Sequence, residues 1–127
     1  MRVLALDFGA ARTGVAVSDE TRTLARPVGI VRRAATEQGL DELAALVTAH
    51  EVDVVLVGMP LTLKGEHGEQ ARVTEAFVEI LRERLEVPVK VEDERFTTTL
   101  AQQTGGSAPE DAVAAAHLLQ GWLERQT

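Results

Sequence analysis

The 127-residue sequence predicts an α/β domain: a mixed five-stranded sheet with helices packed on its faces. Three observations lead there. Three apolar segments joined by short links open the chain, the pattern of an antiparallel meander. From Thr36 the apolar spacing switches to a helical period. Two further apolar strands then alternate with helical stretches, which calls for crossover connections and parallel pairing.

The first strand spans Val3 to Asp7 and is apolar enough to be buried on both faces. The turn "FGAAR" leads into a second strand from Thr13 to Ser18. A third runs from Val28 to Arg32, after Pro27. Leu40, Leu43, Ala44 and Val47 recur at i, i+3, i+4 and i+7, so a helix follows with Thr36 as its N-cap. "VDVVLVG" reads as a fully buried strand ending at Gly58, before Met59 and Pro60. The loop "LTLKGEHGEQ" precedes a second amphipathic helix whose predicted face is Val73, Ala76, Phe77, Ile80 and Leu81. After Pro88 come a short strand, "VKVEDE", and a small helical stretch from about Thr98. "TGGS" then breaks the chain. The last helix opens with Ser107 and Glu110 at capping-box spacing and runs to about Arg125. No repeat or linker divides the order βββ-α-β-α-β-α, so residues 1–127 read as a single domain.

Composition narrows the function classes. With 45% hydrophobic and 26% charged residues the chain is globular, and with 3% aromatics its core is aliphatic. The absence of cysteine excludes disulfides and thiolate-bound zinc. The first apolar run is short and interrupted by Asp7, unlike a signal peptide, and nothing approaches the roughly 20 apolar residues of a membrane span. The expectation is a cytoplasmic protein without membrane association. A net charge of −7 counts against a strong non-specific grip on nucleic acid, although a locally basic cleft or bound cations can reverse the sign.

The informative residue is Asp7, a carboxylate at the end of an apolar strand. Taking an ionised acid out of water costs several kcal/mol unless a cation, a ligand's donors or an arginine pairs with it. In an open α/β sheet, sites form beyond the carboxyl ends of parallel strands. If strands one, four and five are parallel, with strand four central, those ends carry Asp7, the Gly58 turn and Asp93-Glu94. Asp7 and Glu94 then start roughly 10 Å apart, with no side chain at Gly58 to separate them. Strand alternation favours Glu94 over Asp93. Asp111, in the first turn of the last helix, shares a face with Ala115, Leu118 and Trp122 and so points toward the sheet. Converging carboxylates repel, and Mg²⁺ or Mn²⁺, hard cations that prefer oxygen ligands, removes that penalty. Paired cations of this kind support phosphodiester hydrolysis. Around the acids stand possible phosphate contacts: Arg12, Lys64, Arg95, Thr97 and Thr98, with His67 as a proton carrier. Each has an ordinary explanation too. Asp7 suits an Asx turn, Asp111 a helix N-terminus, the arginines surface ion pairs and the threonines an N-cap. His50 and His117 read as structural, and Trp122 as core or dimer interface.

Four segments in order, "LALDFGAARTGVAVSD", "VVLVGMPLTLKGEHGEQA", "VEDERFTT" and "EDAVAAAHLLQGWL", resemble the YqgF/RuvX family over nearly the whole chain. These are RNase H-like proteins described as Holliday junction resolvases or as nucleases maturing the small-subunit rRNA precursor. The resemblance implies an RNase H-like fold and a metal-dependent endonuclease leaving 3′-hydroxyl and 5′-phosphate ends. Its acids fall on Asp7 in "LDFG", Glu94 in "DER" and Asp111 in "DAVAA". Its partners would be branched DNA or an rRNA precursor, with a homodimer expected where two symmetric cuts are made. One stretch departs from the pattern: a lysine-rich segment common before the last helix is replaced by the uncharged "TGGSAP". That departure keeps open a non-catalytic RNA, ribosome or transcription-associated module. "DFGAARTG" also resembles the phosphate hairpin of actin-like sugar kinases, but those enzymes close two lobes over ATP and this length supplies one.

Overall fold

In the computed structural model, which describes residues 1–9, 11–21, 23–59, 68–93 and 110–125, β1 (Val3–Asp7) lies at the centre of the sheet. It pairs antiparallel with β2 (Arg12–Ser18), which pairs antiparallel with β3 (Ala25–Arg32). On its other side β4 (Val54–Met59) and then β5 (Val89–Asp93) add in parallel. The order β3-β2-β1-β4-β5 puts strand four between strands one and five, the arrangement that the acid geometry requires.

The inner strands β1 and β4 read as near-continuous apolar runs because both faces of the sheet are covered there. Leu4 and Leu6 of β1 join Val55, Val57, Leu43, Phe77 and Leu81 in a core beneath α1 (Glu37–Ala49) and α2 (Glu69–Arg84). Val3 and Ala5 point the other way, into a core formed with α3 (Glu110–Arg125) through Ala115, Leu118, Leu119 and Trp122. Each fully buried large aliphatic side chain contributes about 1.5–3 kcal/mol. At the start of α1 the Thr36 hydroxyl accepts the Gly39 N–H at 3.2 Å, the cap that the sequence predicts. Trp122 is 9% exposed and packs in the α3 core, with Lys90 Nζ 5.9 Å from its ring centroid. Among the described residues, no helix is long and apolar enough to cross a membrane.

Three expectations change. Strand three begins at Ala25 and carries Pro27 inside it; β3 is an edge strand, where a missing N–H does not interrupt the sheet. Val15 pairs with Gly29 and Ala16 with Pro27, so Val28 is the extra residue of a β-bulge, and Gly29 takes the φ of 156° found there. Strand four runs from Val54 to Met59, later at both ends than "VDVVLVG". The largest change is in α2. Ala71, Thr74, Phe77, Val78 and Leu81 are buried, whereas Val73 and Ile80 are 41% and 38% exposed and Ala76 is exposed. The face is rotated because Thr74 can be buried: its hydroxyl donates to the Gln70 carbonyl at 2.8 Å and leaves no polar group unmet. The small helical stretch expected from Thr98, and Ser107 of the capping box, lie outside the described residues.

Candidate active site

Asp7 ends β1 and is half-buried. Strand alternation puts it on the side of Val3 and Ala5, facing α3. Phe8, the next residue, turns to the opposite face and stacks on Phe77 of α2, with ring centroids 4.1 Å apart and 14° between planes. The strand end is therefore anchored from below while its carboxylate faces the other layer.

Directly across from Asp7 on β2 is Gly14. A Cβ built there would lie 1.8 Å from the carbonyl oxygen of Asp111 and 2.9 Å from the Ala112 nitrogen. The first turn of α3 thus rests on the bare backbone of β2. That contact brings Asp111 alongside the strand pair that carries Asp7. Asp111 is also half-buried, and its Oδ2 lies 3.2 Å from Arg12 Nε. With side-chain exposures of 57% and 32%, this ion pair contributes at most about 1 kcal/mol.

The opposite flank of Asp7 is β4. Val54 and Leu56 face α3, so Gly58 does too, one position beyond the Leu6–Val57 pair. Gly58 in turn pairs with Glu92 of β5. A single row across the sheet therefore reads Gly14, Asp7, Gly58, Glu92, with glycines flanking the acid on both sides. Two strand spacings, about 10 Å, separate the Asp7 and Glu92 backbones. Glu92 forms an ion pair with Arg125 near the end of α3.

Of the sequence-predicted residues, Asp7, Asp111 and Arg12 come together here. Glu94, Arg95, Thr97, Thr98, Lys64 and His67 lie outside the described residues. Among the described residues, no group of three acids or histidines is close enough to hold a metal ion. The donors present, two half-buried carboxylates at one rim, are nonetheless hard oxygen ligands of the kind Mg²⁺ and Mn²⁺ prefer. The sequence reading does not single out Gly14, although a glycine inside an apolar strand is the usual sign of close backbone approach.

Comparison with known proteins agrees with this architecture. The family model described as "RuvX: Holliday junction resolvase" matches residues 1–125. A protein of Anaeromyxobacter sp. (strain Fw109-5), described by its name as a candidate pre-16S rRNA nuclease, is 42% identical over 133 aligned positions, covering 98% of this chain and 97% of that protein. A Roseiflexus sp. (strain RS-1) protein of the same name is 37% identical, covering 98% and 95%. Among solved structures, T. thermophilus RuvC in complex with Holliday junction substrate superposes with a TM-score of 0.62 at 15% identity, covering 99% of this chain and 96% of that one. The Fowlpox virus resolvase with Holliday junction DNA gives 0.61 at 14%, covering 99% of each. At such identities these likenesses concern the fold, which is that of the RNase H-like resolvases. The match along residues 1–125, together with the near full-length relatives, establishes that this chain belongs to the RuvX (YqgF) family.

Proposed function

We propose that this protein is a divalent-metal-dependent endonuclease that hydrolyses phosphodiester bonds of structured nucleic acid. The observation that carries the reading is the packing of the first turn of α3, which bears the half-buried Asp111, on Gly14, the cross-strand partner of the half-buried Asp7. Membership of the RuvX family and relatives named for pre-16S rRNA cleavage support it. Asp7 and Asp111 would hold Mg²⁺ or Mn²⁺, with Glu94, the residue after β5, as the third ligand carried over from the family motif. Such a cation, when bound, supplies a nucleophilic water at neutral pH and neutralises charge on the phosphoryl oxygens.

The chain's own residues do the rest. Gly14 admits the α3 backbone that carries Asp111, and Gly58 puts no side chain between Asp7 and Glu92. Arg12, which pairs with Asp111, would meet a phosphate oxygen, a contact stronger than a neutral hydrogen bond. Arg95, Lys64, Thr97 and Thr98 would add further backbone contacts. A four-way junction needs two symmetric cuts, so action on that substrate would require a dimer; an rRNA precursor would not.

Side-by-side assays decide the matter. A four-way DNA junction and a pre-16S rRNA fragment are incubated with the protein in Mg²⁺, Mn²⁺ or EDTA. Metal-dependent cleavage of one of them, lost in Asp7→Asn, is the expected result. Binding without cleavage of either substrate in any metal would replace the nuclease reading with that of a non-catalytic RNA-binding module, the alternative that the net charge of −7 and the uncharged "TGGSAP" keep open.

A further inference from the structure

Next to Arg12, the β2–β3 rim carries two further guanidinium groups, Arg32 and Arg33, that the nuclease reading leaves without a task. Arg12 and Arg32 are direct cross-strand partners, so their side chains share the face toward α3. Like charges in that arrangement destabilise a sheet unless something offsets them. Asp111 offsets Arg12. Among the described residues, the structure gives the exposed Arg32 guanidinium no ion pair or hydrogen bond.

Arg33, next along the chain, holds a φ of 48°, the left-handed region that suits glycine and is costly for a long side chain. The surroundings hold it there. Its N–H donates to the Ala11 carbonyl at 3.1 Å, and its carbonyl accepts from the Thr36 N–H at 3.0 Å and the Thr36 hydroxyl at 2.7 Å. Beneath the turn Gly39 approaches so closely that a Cβ there would lie 2.2 Å from the Arg33 oxygen. Backbone strain held by such over-determined contacts is characteristic of sites where the side chain is used. The Arg33 side chain is exposed. Arg32 and Arg33 line an open depression of about 430 Å³ with Thr36 and Gln38 of the α1 N-terminal turn, whose dipole adds positive potential; Glu42 is the acid among its lining residues.

We propose that Arg32 and Arg33, continuing from Arg12, form a phosphate-binding track that holds the substrate backbone on the β3 side of the acid pair. This inference rests on the nuclease reading above and adds to it the direction in which the strand leaves the site. In a chain of net charge −7 without a lysine-rich segment before its last helix, such a track supplies the grip that bulk charge does not.

The test uses full-length protein in an Asp7→Asn background, which suppresses cleavage, and fluorescence anisotropy with a labelled four-way DNA junction and a labelled structured RNA. Arg32→Ala and Arg33→Gly should each weaken binding about 5–20-fold. Each should also flatten the plot of log affinity against log salt by about one unit of slope for every phosphate that is no longer neutralised. Arg33→Lys, which keeps the charge, should recover most of the affinity. Arg84→Ala, on a remote arginine paired with Asp41, should change neither quantity. Glycine relieves the backbone at position 33, so Arg33→Gly should melt at the parent temperature or above it; a lower melting point would assign Arg33 a structural role and overturn its part. In cleavage-competent protein Arg32→Ala should raise KM by a similar factor with kcat within about twofold. Unchanged affinity and salt slope in Arg32→Ala and Arg33→Gly, while the parent binds, would overturn the track alone. Failure of the parent to bind either nucleic acid, with no cleavage by the unmutated protein, would overturn the nuclease reading with it.

Discussion

At the scale of single residues, Asp7 and Arg12 occupy opposed positions. Asp7 is a half-buried acid at the end of β1, and the first turn of α3, packed on its cross-strand partner Gly14, carries a second one, Asp111. Asp7→Asn removes a half-buried charge together with a proposed ligand. Cleavage should fall more than about 100-fold, the scale that even an outer-shell change reaches at metal sites, while the melting temperature stays level or rises. Thermal denaturation and a gel-based cleavage assay on the same preparation check both halves. Arg12 places one positive charge against Asp111, where it competes with any added cation. Arg12→Ala should therefore tighten Mn²⁺ binding about 3–10-fold by titration calorimetry, because a divalent ion no longer meets a neighbouring guanidinium. The same variant should change folding stability by less than about 1 kcal/mol, since the pair is largely solvated. Weaker Mn²⁺ binding in Arg12→Ala would contradict this account of the ion pair.

At the scale of elements, the contact that assembles the site is α3 on β2 through Gly14. Replacing Gly14 with alanine puts a methyl group where the Asp111 carbonyl stands, and the oxygen belongs to backbone that cannot turn aside. The helix must lift, at a cost of about 1–3 kcal/mol for overpacking and with displacement of Asp111. Gly14→Ala should therefore lower both the melting temperature and cleavage, in contrast to Asp7→Asn, which should lower cleavage alone. The same contact marks where local signals in the sequence stop. β1, the Thr36 cap and the end of α3 at Arg125 are legible because apolar runs, capping residues and helical periods are local. The parallel placement of β4 follows from the crossover helices. The α2 face is not legible, because residue polarity alone makes Val73 and Ile80 core and Thr74 surface, while the Thr74 hydroxyl satisfies itself within the helix. The early start of β3 is hidden by Pro27, which an edge strand tolerates. For the candidate site, Asp7 is marked by the apolar strand before it, but the approach of Asp111 depends on a glycine between remote segments. The Arg12–Arg32 pairing requires the register of two strands, which a bulge at Val28 shifts, so no spacing along the chain announces it.

At the scale of the whole molecule, the net charge of −7 is unevenly spread. Glu69, Glu75, Glu79, Glu83 and Glu86 lie exposed along α2 and just beyond it, interleaved with Arg72, Arg82 and Arg84, on the side of the sheet opposite α3. Arg12, Arg32 and Arg33 gather at the β2–β3 rim near the Asp7–Asp111 pair. A divalent ion could lodge at the acid pair or merely screen exposed carboxylates elsewhere, such as those of α2, and these two effects separate experimentally. Ligand that binds only the folded state stabilises it by about 2.7 kcal/mol at 100 times its Kd, whereas diffuse screening has no saturation and no dependence on one side chain. Mg²⁺ titrated into the wild-type protein at constant ionic strength should raise the melting temperature by several degrees along a saturating curve, reversed by EDTA. Asp7→Asn and Asp111→Asn should each lose most of that rise, and Glu79→Gln on α2 should keep it. Equal shifts in all four proteins would mean that the cation acts through the bulk charge, and the two rim carboxylates would then be no better a metal site than the helix surface.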